Sequence, residues 1–282
     1  MSTNFNIRTK QRKKMMNTSS TRSPRPEGPD FVGVGVQKGG TTWLGEILAQ
    51  HPQVLMSKKE INFFVRYFHK GYPWYHHWFQ NRNGRLAGEF TQSYIISPRP
   101  DPAHREFYPN WNPKRTILFW RKQPSARDEL KDRYPGVRVF AMFRDPADRA
   151  WSAYWYWRRR KERIGKRYVS FEKMWADDGR WIRTRGLYAD QLAYWREAFP
   201  DFGAFFYDDI KTDPVGLAQA VFRFIGVDDT FVPLDYERKV NKTDYNPMPP
   251  EVRRMMVDYY REQIVRFTKM TGRDLAHWLR IP

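Results

Sequence analysis

The stretch "FVGVGVQKGGTTWLGEIL", residues 31–48, constrains this chain more than any other. An apolar run of β character enters a Lys-Gly-Gly-Thr-Thr turn. An amphipathic helix pattern leaves it, with Leu44, Ile47 and Leu48 on one face and His51-Pro52 as its stop. Such a turn lets main-chain N–H groups approach a ligand closely and points the positive end of a helix at it, which makes a cradle for an anion. It matches neither common phosphate loop. A dinucleotide-binding G-x-G-x-x-G needs a third glycine where this chain has Lys38. In a G-x-x-x-x-G-K-[ST] loop the lysine follows the glycine, whereas Lys38 precedes Gly39 and Gly40. Lys38 adds a full charge, and Thr41 and Thr42 add hydroxyls.

A second segment repeats the theme. In "VRVFAMFRDPADRAWSAYWYW" a strand-like run ends at Arg144 and a helix begins with Asp145 as N-cap and Pro146 in the first turn. Asp145 and Pro146 are ordinary helix-start chemistry. Ser152 lies two helical turns on, at a spacing that can place it and Arg144 on one ligand. Further apolar runs at 86–89 and 204–207 join those at 31–36 and 137–143. Their near-continuous apolar character suits a parallel sheet covered on both faces. Helical patterns lie between them, including the Leu192, Trp195, Phe199 stripe that ends at Pro200. The expected fold is α/β: a single domain with a central parallel β-sheet flanked by helices, occupying residues 31–282. Residues 96–135, richer in proline and charge, read as an excursion on the substrate side. Two anion-ready turns at the ends of two parallel strands suggest one ligand with two separated phosphate-like groups, bound outside the carboxyl edge of the sheet.

Charge agrees with an anionic ligand. The 282 residues carry 50 Lys and Arg against 31 Asp and Glu, a net +19. Part of the excess lies in residues 1–30, a Ser/Thr/Pro-rich segment without periodicity that reads as a disordered basic tail. The rest is spread over the body. Cysteine is absent, so disulfides and thiolate metal sites are excluded, and a cytoplasmic setting is expected. No apolar stretch reaches transmembrane length and no secretory leader is evident. The six histidines show no metal-binding spacing, and no carboxylate cluster suggests magnesium, so no metal is expected.

These segments resemble the sulfotransferase superfamily, in particular its heparan-sulfate-type and bacterial carbohydrate branch. "GVQKGGTTWL" is similar to the family's 5′-phosphosulfate loop and "FRDPADRAWSAY" to its 3′-phosphate motif. "SKKEINFF" resembles the segment with the catalytic glutamate, "GEFTQSY" the strand after it, and "GLYADQLAYWREAFP" the Gly-x-Tyr helix. "RKVNKT" is similar to a late loop that closes over the donor, and "TGRDLAHW" to the terminal motif. The resemblance implies a P-loop-kinase-like sulfotransferase fold and 3′-phosphoadenosine 5′-phosphosulfate as donor. It assigns donor binding to Lys38, Gly39, Gly40, Thr41, Thr42, Trp43, Arg144, Ser152, Tyr188, Lys239, Asn241, Lys242 and Thr243. The chain departs from the family pattern at Phe90, where a lysine is usual, and at Asn62, where a histidine is usual.

Sulfuryl transfer resembles phosphoryl transfer in needing in-line geometry and dispersal of charge. Lys38 is placed to neutralise charge on the leaving phosphate. The N–H groups of residues 39–42 add fixed donors, each worth roughly 2–4 kcal/mol in the transition state. On the residues alone Glu60 reads as a surface carboxylate beside Lys58 and Lys59; the resemblance implies that it is the general base, and the aromatic stretch after it can raise its pKa. The acceptor, a carbohydrate or small molecule, is not named by the residues. "WRRRKERIGKR", residues 157–167, is a solvated helix face or a docking strip for an anionic acceptor. Two other readings stay open on the residues: a nucleotide-dependent kinase or NTPase on a similar sheet, and a basic nucleic-acid-binding protein. The first is disfavoured by the place of Lys38, the second by the lack of any reader motif.

Overall fold

The computed structural model describes residues 27–57, 60–96, 125–178, 182–236 and 246–281. Five strands form one sheet: β1 (Phe31–Gly35), β2 (Val54–Met56), β3 (Leu86–Phe90), β4 (Arg138–Phe143) and β5 (Gly203–Phe206). Their order is β2-β3-β1-β4-β5, and every neighbouring pair is parallel. The fold is therefore the expected α/β arrangement. The short edge strand β2 lay outside the four apolar runs, because three residues give too little pattern to read.

Parallel neighbours need crossovers, and helices between the strands supply them: α1 (Thr41–Gln50), α2 (Gly71–His76), α3 (Ala126–Arg133), α4 (Pro146–Glu162), α5 (Phe171–Ala176) and α6 (Tyr188–Ala198); after β5 come α7 (Asp209–Thr212), α8 (Pro214–Ile225) and α9 (Pro250–Thr271). Side-chain alternation along the strands sorts the core into two layers. Val32, Val34, Val139, Ala141 and Phe143 face α4, α6 and α9, joined by Tyr154, Trp195, Tyr260 and Phe267. Phe31, Phe90, Phe140 and Met142 face the opposite way, against Leu44 and Leu48 of α1 and Leu217, Val221 and Phe222 of α8.

The second layer explains Phe90. It stands opposite Gly33 in the β1–β3 register, as Phe31 stands opposite Gly88, and a Cβ on Gly33 would lie 2.7 Å from the Phe90 ring. The ring also meets Phe140 edge-on at 5.5 Å. Where the family pattern has a cation, this chain has a buried packing residue.

The chain leaves β1 toward β2 and leaves β4 toward β5, on opposite sides of the sheet. Their carboxyl ends are neighbours, so the connections part between them and leave a crevice, the usual place for a ligand in an open parallel sheet. Both anion-ready turns open there.

Candidate functional site

At the first turn, Gly40 caps α1 with φ 92°, a left-handed conformation that glycine adopts without steric cost. It provides no capping side chain, and no acidic residue lies in the first turn of α1. The orphan N–H groups of this helix start are left for an external acceptor. A side chain on Gly39 would run into the Met142 carbonyl of β4, so the close approach of the turn to β4 requires glycine there. Thr41 is half-buried and Thr42 exposed. Trp43 differs: its ring is buried and its indole N–H donates to the Tyr236 carbonyl at 2.9 Å. Only its main chain remains available to a ligand.

Lys38 also has a left-handed backbone, with φ 66°. Its amine lies 5.0 Å over the ring of Tyr156, which α4 presents. Burial, and secondarily the charge of Arg144, lower its pKa. Arg144 donates from Nη1 to the Lys38 carbonyl at 3.3 Å, and its guanidinium lies 4.6 Å over the Tyr207 ring. Two cations thus share the crevice between β1 and β4 on an aromatic floor. The arrangement fits an anion, whose charge would relieve their mutual repulsion.

The second turn is closed where the first is open. The Asp145 carboxylate accepts from the N–H groups of Ala147 (2.8 Å) and Asp148 (3.1 Å), so the start of α4 is already capped. Its other oxygen accepts from Arg253 at 2.6 Å. Arg253 also reaches Asp148 at 3.0 Å and the Trp278 carbonyl at 3.0 Å. Asp145 does more than start a helix, because it bolts the turn to α9 and to the chain beyond it. Arg253 was missed in the sequence because nothing local links position 253 to position 145.

Ser152 is buried in the second turn of α4. Tyr188 is buried at the start of α6, its ring edge-on to Phe143 at 5.1 Å, with its hydroxyl against the Arg144 main chain. Lys239, Asn241, Lys242 and Thr243 lie outside the described residues, as do residues 1–26 and most of the 96–135 excursion. The basic segment after residue 157 is helical to Glu162, with Arg158 pairing with Glu162 at 2.8 Å. Among the described residues no group of His, Asp and Glu gathers as a metal site. No helix there is long and apolar enough to cross a membrane.

Glu60 follows β2 at the same carboxyl edge of the sheet. Solvent reaches it, yet the surrounding protein raises its pKa. Desolvation outweighs hydrogen bonds from Asn62 and Gln92 and the charge of Arg185. Asn62 donates through Nδ2 to the Glu60 main-chain carbonyl at 3.3 Å and to Oε2 at 3.5 Å. Where the family pattern has histidine, this chain has an amide that steadies the glutamate.

A family model described as a sulfotransferase domain matches residues 28–257. The chain belongs to the sulfotransferase family. A human bifunctional heparan sulfate N-deacetylase/N-sulfotransferase 3 is 24% identical over 294 residues, covering 89% of this chain and 31% of the relative. A mouse heparan sulfate glucosamine 3-O-sulfotransferase 3B1 is 27% identical over 283 residues, covering 88% of this chain and 64% of the relative. The chain thus spans about a third of the first relative and under two thirds of the second. The crystal structure of a sulfotransferase from Alicyclobacillus acidocaldarius shares the fold, with a TM-score of 0.67 and 24% identity, over 89% of this chain and 99% of that one.

Proposed function

We propose that this protein is a sulfotransferase that uses 3′-phosphoadenosine 5′-phosphosulfate and sulfates a hydroxyl or amine of a carbohydrate or small-molecule acceptor. The observation that carries the proposal is the pairing of Lys38 and Arg144 at the crevice between β1 and β4. One cation belongs to an uncapped helix start and the other to a capped one. A ligand with two anionic ends suits two such cations. When bound, the donor supplies the sulfuryl group and a phosphate leaving group.

Lys38 and the N–H groups of residues 39–42 hold the 5′ end and offset charge on the leaving oxygen. Arg144, together with Ser152 of α4, holds the 3′-phosphate. Glu60 takes the acceptor proton; its raised pKa makes it a better base than an ordinary carboxylate, and Asn62 keeps it oriented. Lys239, Asn241, Lys242 and Thr243 close over the donor in this reading. The names of the relatives favour a carbohydrate acceptor. The absence of cysteine favours a cytoplasmic setting. A kinase or NTPase would need its lysine after the glycines, and a nucleic-acid reader would leave the cleft chemistry unused.

Incubation with labelled donor and an acceptor panel, read by mass spectrometry for the gain of SO₃, tests the activity. Glu60→Gln keeps shape and removes basicity, so turnover should fall by about 10²–10⁴-fold with affinity for adenosine 3′,5′-bisphosphate retained. Turnover within a few-fold of the parent would move the base elsewhere. Because the Glu60 pKa is raised, the acid limb of the rate profile should lie above the ordinary carboxylate range, with activity lost as pH falls through it.

A further inference from the structure

The carboxylate of Glu89 lies fully buried on β3, facing the α4–α6–α9 side of the sheet while its neighbour Phe90 faces the other. Four donors converge on it. The Tyr75 hydroxyl donates to Oε1 at 2.5 Å, the Tyr94 hydroxyl to Oε1 at 3.2 Å, and the Thr91 hydroxyl to Oε2 at 2.6 Å. The fourth is the main-chain N–H of Ile61. A carboxylate has about four acceptor sites, so this one is saturated only while ionised.

Two of those hydroxyls are relays. Thr91 Oγ1 accepts from the Asn62 N–H at 3.1 Å, and the Tyr94 hydroxyl accepts from the Phe63 N–H at 2.8 Å. Three consecutive amides, at 61, 62 and 63, are therefore tied to one carboxylate, directly or through one hydroxyl. The residue before them is Glu60. Burying a carboxylate is costly, and a buried polar network is sound only when every member is satisfied. Here satisfaction fixes the backbone that carries the proposed base.

We propose that Glu89 is a positioning residue for Glu60: its buried carboxylate clamps the amides of residues 61–63, and its protonation loosens the clamp and lowers turnover. This rests on Glu60 being the general base. Protonation turns one acceptor site into a donor facing donors, so at least one of the four bonds must break. Burial pushes the Glu89 pKa up to about 7, against hydrogen bonds from Thr91, Tyr75, Tyr94 and Ile61, which puts the change within reach of ordinary conditions. The other titratable groups facing it are the phenols of Tyr75, Tyr94 and Tyr134, whose pKa values are all raised, so they stay neutral there.

The test pairs a structural readout with kinetics on the full chain. In the parent, the amide resonances of Ile61, Asn62 and Phe63 should titrate together with the Glu89 carboxyl carbon. In Glu89→Gln that common titration should vanish, and kcat should fall by about 10²-fold, the scale of a small misplacement of a catalytic group. Affinity for adenosine 3′,5′-bisphosphate should be retained. If Glu89→Gln does not fold, Tyr94→Phe keeps the ring and removes one relay, and should lower kcat severalfold without weakening bisphosphate binding. Amides of 61–63 that ignore the Glu89 titration, or a folded variant with parental kcat, would overturn the proposal. If Glu60→Gln keeps turnover, the base assignment is wrong, while the amide titration still decides whether Glu89 holds this segment.

Discussion

The two turns that flank the central crevice handle their helix starts in opposite ways. The turn after β1 leaves the start of α1 without a capping side chain or an acid, and Lys38 leans over Tyr156 beside it. The turn after β4 fills the start of α4 with the Asp145 carboxylate and anchors that carboxylate to Arg253. An open helix start offers N–H donors and a partial positive charge, whereas a capped one has spent both. The two turns therefore offer an anion different means of binding. In the proposed reading the main chain and Lys38 act together at the first turn, whereas at the second Arg144, with Ser152, acts from a rigid mount.

The largest expected effect lies in the mount. Arg253→Ala leaves Asp145 buried without its partner, which should cost about 3–5 kcal/mol in denaturant unfolding. A loss below about 1 kcal/mol would mean that the second turn is not held this way. Next is Lys38→Ala, which should cut kcat by about 10²–10³-fold, because its charge acts where charge develops in the reaction. Turnover near the parental value would reduce Lys38 to a binding contact. Gly40→Ala forces a Cβ at φ 92° and against Met142, and should cost about 1–3 kcal/mol of stability. The smallest effect concerns pH. Because the Lys38 pKa is lowered, bisphosphate affinity should begin to fall with rising pH below the ordinary lysine range. Lys38→Arg should move that fall to higher pH, and an unchanged profile would assign it to another group.

The fold was legible because the long strands carry near-continuous apolar runs and the helix ends are marked, a stop at His51-Pro52 and a start at Asp145-Pro146. β2 was not, being three residues long. Lys38, Gly39, Gly40 and Arg144 were legible because each sits at a strand end in a local pattern. The asymmetry between the turns was hidden, since the partner of Asp145 lies 108 positions away. The Glu89 clamp was hidden for the same reason: its donors come from Ile61, Tyr75, Thr91 and Tyr94, and only the fold gathers them. Trp43 and Tyr188, which the resemblance assigns to the donor, both have buried rings, a placement their motifs did not reveal.

In the proposed reading, two differently built turns grip the two ends of one ligand. Calorimetric titration of the parent and of Arg144→Ala with adenosine 3′,5′-bisphosphate and with adenosine 5′-monophosphate tests it. The parent should prefer the bisphosphate by roughly 1.5–3 kcal/mol, the scale of a hydrogen bond to a charged group. Arg144→Ala should erase that preference and leave monophosphate binding unchanged. Equal weakening toward both ligands, or an intact preference, would contradict the assignment of the second turn to the second phosphate.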